Sequence, residues 1–518
     1  MPRVAPLLLF ALAAAGGPRS DAVPLRDLHV QAFEGKGRLQ RSRVGNRPGI
    51  FVGGERRRGL AWAAPGRARF DLGGDFARLT VLVAVPDGGK APARFTVRGD
   101  GRALASTPPL FAGEEPVSID VDVGGVRGLE LAVDGAGAFG AWIDGKLYGA
   151  EDRDLGAYRA LAVSFSPQEY PASFKRRVNE SIDKGVRFLL TTQRADGTWG
   201  GGRHTDGVTA LAALALLKAG VKRDDPAMVR AFERLAAYRF DHVYTVSVLL
   251  MALEARWFPA GADPKSAREV IPDADLDWIR RAAEWLAAQQ GAGFPPNQGQ
   301  FHPVWRYPQG GYDLSNTQYA LFGLSAADRC GVRLSKVWLP ALKYLLAMQE
   351  DSGPEVEVSR YFRDGRYARR RTEKAEARGF GYAGPGPPTG SMTSAGLCSL
   401  VLCQAALDGT RTFAEGYRKK TRRAIRDALA WLEEYYDVEE NPFRGATWHL
   451  YYLFNMERVG VLLDQRYLGT HDWYEDGAEV LLASQGDNGA WGNQIDTAFA
   501  LLFLKRGTVP PLTQGRRR

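Results

Sequence analysis

Four aspartates draw attention by position. Asp206, Asp241, Asp313 and Asp496 each fall just ahead of, or at the start of, a run of apolar residues long enough for a helix. Two carboxylates brought face to face can divide into an acid and a base, the chemistry of glycan hydrolysis or elimination. His204, His242 and His449 lie within two residues of such helix starts, and His302 lies in the loop leading to a third. Trp305, Tyr312, Tyr382, Trp448 and Tyr451 bring aromatic faces to the same places, and Ser315 and Asn316 follow Asp313. The four aspartates are therefore candidate catalytic residues. His204, His242, Trp305, Tyr312, Ser315, Asn316, Tyr382, His449 and Tyr451 are candidate ligand-binding residues. An Asp before a helix is also the ordinary N-cap, worth about 1 kcal/mol, and capping alone would account for all four. No HExxH or comparable ligand spacing occurs, so the sequence calls for no metal and no other cofactor.

The elements that must position these residues are helices. From about Tyr170 onward the pattern lays out as six pairs, each an amphipathic outer helix followed by a more uniformly apolar inner one. The first and last pairs share a turn, QRADGTWGGGRHTDGVTALAALALLKAG from Gln193 and QGDNGAWGNQIDTAFALLFLKRG from Gln485. Six such hairpins closing on themselves give an (α/α)6 toroid; an open solenoid is the alternative. Closure is preferred because the shared turn would make the first and last pairs neighbours. The inner helices would then begin at Asp206, Asp241, Asp313, Ser391, Thr447 and Asp496, and the four aspartates would form an arc. Two long inserts, Gly291–Gly311 and Asp351–Gly390, read as loops beside those helix starts.

The first part of the chain has another grammar. ARFDLG, ARLTVLVAV, ARFTVRGDG, VSIDVDVGG and LELAVDG alternate with period two and are separated by Gly, Asp and Pro, which predicts an antiparallel β-sandwich over residues 27–162. Residues 163–175 read as a linker, 176–510 as the helical domain and 511–518 as a basic tail. Residues 1–22 have the short apolar run and small residues of a signal peptide, which predicts export to the periplasm or the extracellular space. No later segment reads as a transmembrane span. Cys330, Cys398 and Cys403 are too few for a disulfide framework and read as buried thiols. The net charge of +9 is spread over separate Arg runs without interleaved aromatics, which argues against nucleic acid as a partner.

Two resemblances follow from quoted residues. GLAWAAPGRARFDLGGDFARLTVLVAVPDG, ARFTVRGDGRALASTPPL, PVSIDVDVGGVRGLELAVDG and AWIDGKLY, spanning Gly59 to Tyr148, resemble the NPCBM type of carbohydrate-binding module, a galactose-binding-like jelly roll. The chain departs from that pattern at Trp62-Ala63 and at Gly140-Ala141. The resemblance implies sugar binding, with Trp62 and Trp142 as stacking platforms or as core aromatics, the core reading being the preferred one for a Trp in a strand. The helical half resembles the squalene–hopene cyclase and prenyltransferase β-subunit superfamily, whose QW repeats are matched by QRADGTWG and QGDNGAWG. At the position of that family's DxDDTA motif stands Asp313-Leu314-Ser315-Asn316-Thr317-Gln318, so the acid that starts cyclisation is replaced by Ser315. A hydroxyl is no strong acid. The resemblance therefore implies an exported, cyclase-like repeat protein that binds a ligand, glycan or protein partner without cyclising a terpenoid. The alternatives are a glycan hydrolase or lyase using the chamber carboxylates, or a diverged isoprenoid cyclase or transferase.

Overall fold

A computed structural model describes residues 22–508, apart from 26–27, 29, 36–38, 42, 45–46, 49, 58, 150–169, 171, 259–269, 292–303, 309–310, 312, 365–366 and 470. Residues 1–21, which hold all but the last residue of the expected signal peptide, the basic tail, most of the linker, Tyr312 and His302 lie outside the described residues. The chain divides into two units, Met1–Ala162 and Val163–Arg518.

In the first unit the period-two pattern becomes strands β1 (Ala22–Pro24), β2 (Val30–Gly35), β3 (Gln40–Arg41), β4 (Gly59–Ala63), β5 (Gly66–Asp71), β6 (Phe76–Ala84), β7 (Arg94–Gly99), β8 (Arg102–Ser106), β9 (Val117–Asp122), β10 (Gly128–Asp134) and β11 (Phe139–Gly149). They form two antiparallel sheets, ordered β9-β6-β11-β4-β3, with β1 also on β11, and β8-β7-β10-β5-β2. Strand β5 alternates buried and exposed residues without a break, as a strand with one wet face must. Leu79, Val81 and Val83 of β6 share one core with Phe95 and Val97 of β7 and Leu131 and Val133 of β10. Trp62 and Trp142 belong to it; both are fully buried and their rings stack at 6.0 Å. Gly140 is small for a reason, since a Cβ there would meet Val133 Cγ1 at 2.6 Å and the Phe95 ring at 2.8 Å.

The second unit contains α1 (Ala172–Thr191), α2 (Thr205–Ala219), α3 (Pro226–Ala236), α4 (Val243–Trp257), α5 (Asp273–Ala288), α6 (Leu314–Arg329), α7 (Trp338–Met348), α8 (Gly390–Leu407), α9 (Glu415–Glu434), α10 (His449–Leu462), α11 (Trp473–Ser484) and α12 (Gln494–Leu504). The even-numbered helices carry apolar residues all round. Helix α2 buries every residue from Gly207 to Leu216, and such a helix needs neighbours on all sides. Each packs on the next even helix, α2 on α4, α4 on α6, α6 on α8, α8 on α10 and α10 on α12, and α12 packs back on α2.

The odd helices are tied end to end by glutamines. Gln193 Nε2 donates to Ala227 O of α3 (2.8 Å), Gln290 Nε2 to Val337 O before α7 (2.9 Å), Gln349 Nε2 to Ala424 O of α9 (2.9 Å), and Gln485 Nε2 to Ser181 O of α1 (2.9 Å). Trp199 and Trp491 hold the turn from inside, donating Nε1 to Leu189 O and Leu481 O of the preceding helix. Gly489 is required at its place: φ is +85° and a Cβ would lie 2.6 Å from Lys184 O.

The insert read as a loop over Asp351–Gly390 differs from expectation. It folds into an antiparallel hairpin, β12 (Glu355–Asp364) with β13 (Tyr367–Glu376), in register from Glu355 opposite Glu376 to Asp364 opposite Tyr367. Among the described residues one helix, α8, is long and apolar enough to cross a membrane, and 83% of it is buried inside the unit. All three cysteines are free and buried.

Candidate functional site

The candidate residues of the helical unit gather at the starts of the even helices, in three groups. Asp313 is the only one of the four aspartates that is an N-cap. Its carboxylate accepts from Asn316 N (2.8 Å), Ser315 Oγ (2.6 Å) and Asn316 Nδ2 (2.8 Å), and it is buried. Ser315 and Asn316 thus serve the carboxylate directly. Tyr382 is placed over this helix start by its own carbonyl, which accepts from Leu314 N (2.9 Å). Its hydroxyl is pushed up to about 12 by burial and by the Asp313 charge. Tyr307, from the segment before α6, is also raised by burial and by Asp313. Trp305 is different: it is fully buried and gives its Nε1 to Leu286 O (2.6 Å). Its role corrects the expectation of a ligand contact, because the indole fills the place that Trp199 and Trp491 take in their own repeats.

The second group joins α2 and α4. The His204 and His242 rings stand edge to face at 5.7 Å. Both residues occupy the N-cap positions expected for Asp206 and Asp241, without a side-chain cap bond. Asp206 instead lies in the first turn and faces Arg234 at 2.9 Å. Burial raises its pKa against the pull of Arg234, with Asp241 and Asp196 adding to the rise. Asp241 moves the other way. Burial pushes it up, but hydrogen bonds from Tyr238 and His242, whose Nδ1 is 2.6 Å from Oδ1, outweigh burial and hold it below the usual range.

The third group joins α10 and α12. Asn493, not Asp496, caps α12, and its Nδ2 donates to Asp496 Oδ2 (2.8 Å). Burial raises Asp496, countered by Asn493 and His449. His449 Nε2 is 2.8 Å from Val438 O. Trp448, which precedes α10 with φ +59°, is 68% exposed. With Tyr307 and Tyr382 it completes the exposed large aromatics described in this unit, all three beside even-helix starts.

Below these groups lies a chain of side chains of which only Tyr451 is among the candidate residues of the sequence. Tyr451 Oη donates to Gln318 Oε1 (2.6 Å), and Gln318 Nε2 to Asn455 Oδ1 (2.7 Å). Tyr319 packs on Tyr244 at 4.5 Å and on Tyr451 at 6.1 Å, and Tyr451 on Phe499 at 5.8 Å. Polar residues inside otherwise apolar helices were the available signal. Among the described residues no three His, Cys, Asp or Glu side chains come together as metal ligands.

In the β unit, Trp62 and Trp142 are sealed between the sheets and present no ring face, so the core alternative fits them. The exposed aromatics described there are Phe51 and Phe111. The Asp87 turn links their loops: its carboxylate accepts from Gly53 N and Gly54 N, its N–H donates to Phe51 O, and a Cβ on Gly89 would touch Ala112.

Residues 21–149 match the family model of the NPCBM/NEW2 domain. This stretch contains the Gly59–Tyr148 segment that carried the resemblance. Among solved structures, the chain is similar to the CBM51 from Clostridium perfringens GH95 in complex with methyl-galactose, at 21% identity over 24% of this chain and 99% of that one, with a TM-score of 0.23. It is also similar to the CBM51-2, in complex with GlcNAc, and INT domains of Clostridium perfringens ZmpB, at 16% identity over 42% of this chain and 44% of that one, TM-score 0.24. No curated protein matches the chain.

Proposed function

We propose that this is an exported glycan-binding protein whose carbohydrate-binding domain is joined to an (α/α)6 toroid of the squalene-cyclase kind that does not cyclise. The observation that carries the glycan reading is the family match over residues 21–149. The toroid reading is supported by the even-helix succession that returns from α12 to α2 and by Gln485 reaching back to α1. Loss of cyclisation is supported by Ser315, a hydroxyl spent on holding Asp313.

The sugar face of the β unit would be Phe51 and Phe111, exposed rings on either side of the Asp87 turn, since pyranoses stack on aromatic faces and both tryptophans are sealed. A second reading, hydrolysis or elimination at the helical unit, is favoured by Asp206 and Asp241, neighbouring carboxyls pushed in opposite directions as an acid and a base require.

One experiment addresses both. The full chain is passed over immobilised galactose- and N-acetylglucosamine-containing polysaccharides, and reducing ends are assayed in the eluate. Retention is expected, and Phe51→Ala with Phe111→Ala should weaken it by about tenfold, the loss of one stacking contact or more. Retention on no glycan would overturn the glycan reading; retention without new reducing ends or unsaturated products would remove the second.

A further inference from the structure

Arg458 stands on the buried side of α10 with 5% of its surface exposed. Its guanidinium is sandwiched between two rings, Cζ lying 3.4 Å from the Phe454 centroid and 4.5 Å from that of Phe322. Among the described residues the guanidinium meets one acceptor, the weak Met251 Sδ, 3.8 Å from Nη2. Among the described residues no carboxylate or carbonyl accepts from it, and Nε has no partner. Arg329, equally buried on α6, shows what a matched guanidinium looks like here: Glu254 meets it with both oxygens and Ser325 takes a third bond. Glu457, adjacent to Arg458 in sequence, turns its carboxylate to Thr508 N and Oγ1 instead.

Arginine cannot escape by losing its proton in any ordinary site, and ring faces offset only part of the lost hydration. Two further buried donors beside it are poorly matched. Asn455 Nδ2, one turn earlier on the same face of α10, and Tyr319 Oη on α6 make no well-aligned hydrogen bond among the described residues, each having only a neighbouring tyrosine hydroxyl near it, Tyr451 for Asn455 and Tyr244 for Tyr319. Tyr319 and Tyr451 are near enough for the Arg458 charge to act on their hydroxyls. Arg458, Tyr319, Met251 and Phe322 come from three even helices, α10, α6 and α4, and each keeps 4–6% exposure, as side chains bordering a common small space would.

We infer that this interior holds the carboxylate of a small organic acid, received by Arg458 with Asn455 and Tyr319 as further donors and with the acid's body against Phe322, Phe454 and Met251. One unmatched cation calls for one negative charge, and the planar fork of a guanidinium fits the planar carboxylate. A phosphate dianion would leave a charge unmet beside Glu457. The inference does not rest on glycan binding by residues 21–149.

The test titrates the full-length protein calorimetrically with sodium benzoate and sodium glucuronate, with benzyl alcohol and glucose as uncharged counterparts and inorganic phosphate as a third anion. At least one carboxylate should bind saturably, about tenfold or more tighter than its uncharged counterpart, the worth of one charge-assisted hydrogen-bonded pair. Arg458→Met should erase that difference. Arg458→Lys, which keeps the charge and loses the fork, and Tyr319→Phe should each weaken carboxylate binding while the protein stays folded. Absence of saturable binding by both carboxylates at millimolar concentration, equal binding of the uncharged counterparts, tighter binding of phosphate, or undiminished binding by the methionine variant would each overturn the inference.

Discussion

Glu457 places a carboxyl inside the helical unit, away from water. It is fully buried, and burial raises its pKa above the ordinary 4.5 despite Arg458, the two Thr508 bonds and Lys218 pulling the other way. A carboxyl that holds its proton to higher pH in the folded chain than in the unfolded one stabilises most below 4.5, and that contribution is lost as pH rises through the folded value. Glutamine has the same shape, can still accept from Thr508 N, and does not titrate. The melting temperature of Glu457→Gln minus that of the parent should therefore grow between pH 4 and pH 7; a gap that stays constant or shrinks would contradict the raised pKa. At this scale the sequence was informative about place and poor about role. The four aspartates are near helix starts, yet only Asp313 caps, because His204, His242 and Asn493 take the N-cap position in the other three repeats. Whether an Asp one to three residues away meets an Arg or a His depends on the neighbouring helix. The charged pair Glu457-Arg458 inside an apolar helix is visible in the sequence, but its burial is not.

Between elements, the pair most exposed to mutation is Glu254 of α4 with Arg329 of α6, bidentate and with side chains only 4% and 6% exposed. Burial pushes Glu254 up, and the guanidinium beside it more than compensates. Removing one partner leaves the other buried and unmatched, so Glu254→Leu should cost about 3–5 kcal/mol in denaturant unfolding, whereas Glu254→Leu with Arg329→Met should come close to the parent. A double variant no better than the single one would mean that the pair itself, and not the bare charge, sets the cost. The order and lengths of the helices were legible from periodicity, since an apolar run with no polar face leaves few alternatives. The β12–β13 stretch reads as a loop because its many charges mask its alternation. Val356, Val358 and Ala375 are buried on one face, and Asp364-Gly365 is a hairpin turn signal. The partners of Glu254 and Gln318 were not legible, because residues 75 and 137 positions away meet through packing that periodicity does not encode.

For the helical unit as a whole the question is whether the succession of hairpins has ends. Gln485 Nε2 and Ser181 Oγ join α11 to α1, Arg177 pairs with Glu479, Gln494 Oε1 accepts from Gly200 N at 2.6 Å, and α12 packs on α2. These are contacts between the last repeat and the first, about 300 residues apart, of the same kinds that join repeats adjacent in sequence. In an open array the terminal repeats have one neighbour each and fray, so their amides exchange first. In a closed one every repeat has two. Amide hydrogen exchange of the full chain should therefore find α2 and α12 as slowly exchanging as α4, α6 and α8. Gly489→Ala, which drives a Cβ against Lys184 O at the first-to-last joint, should loosen α1 and α12 together, while Gly197→Ala, against Arg230 O, should act on α2 and α3. Fast exchange at α2 and α12 in the parent, or a Gly489→Ala effect confined to α11 and α12, would mean that the first and last repeats do not support one another.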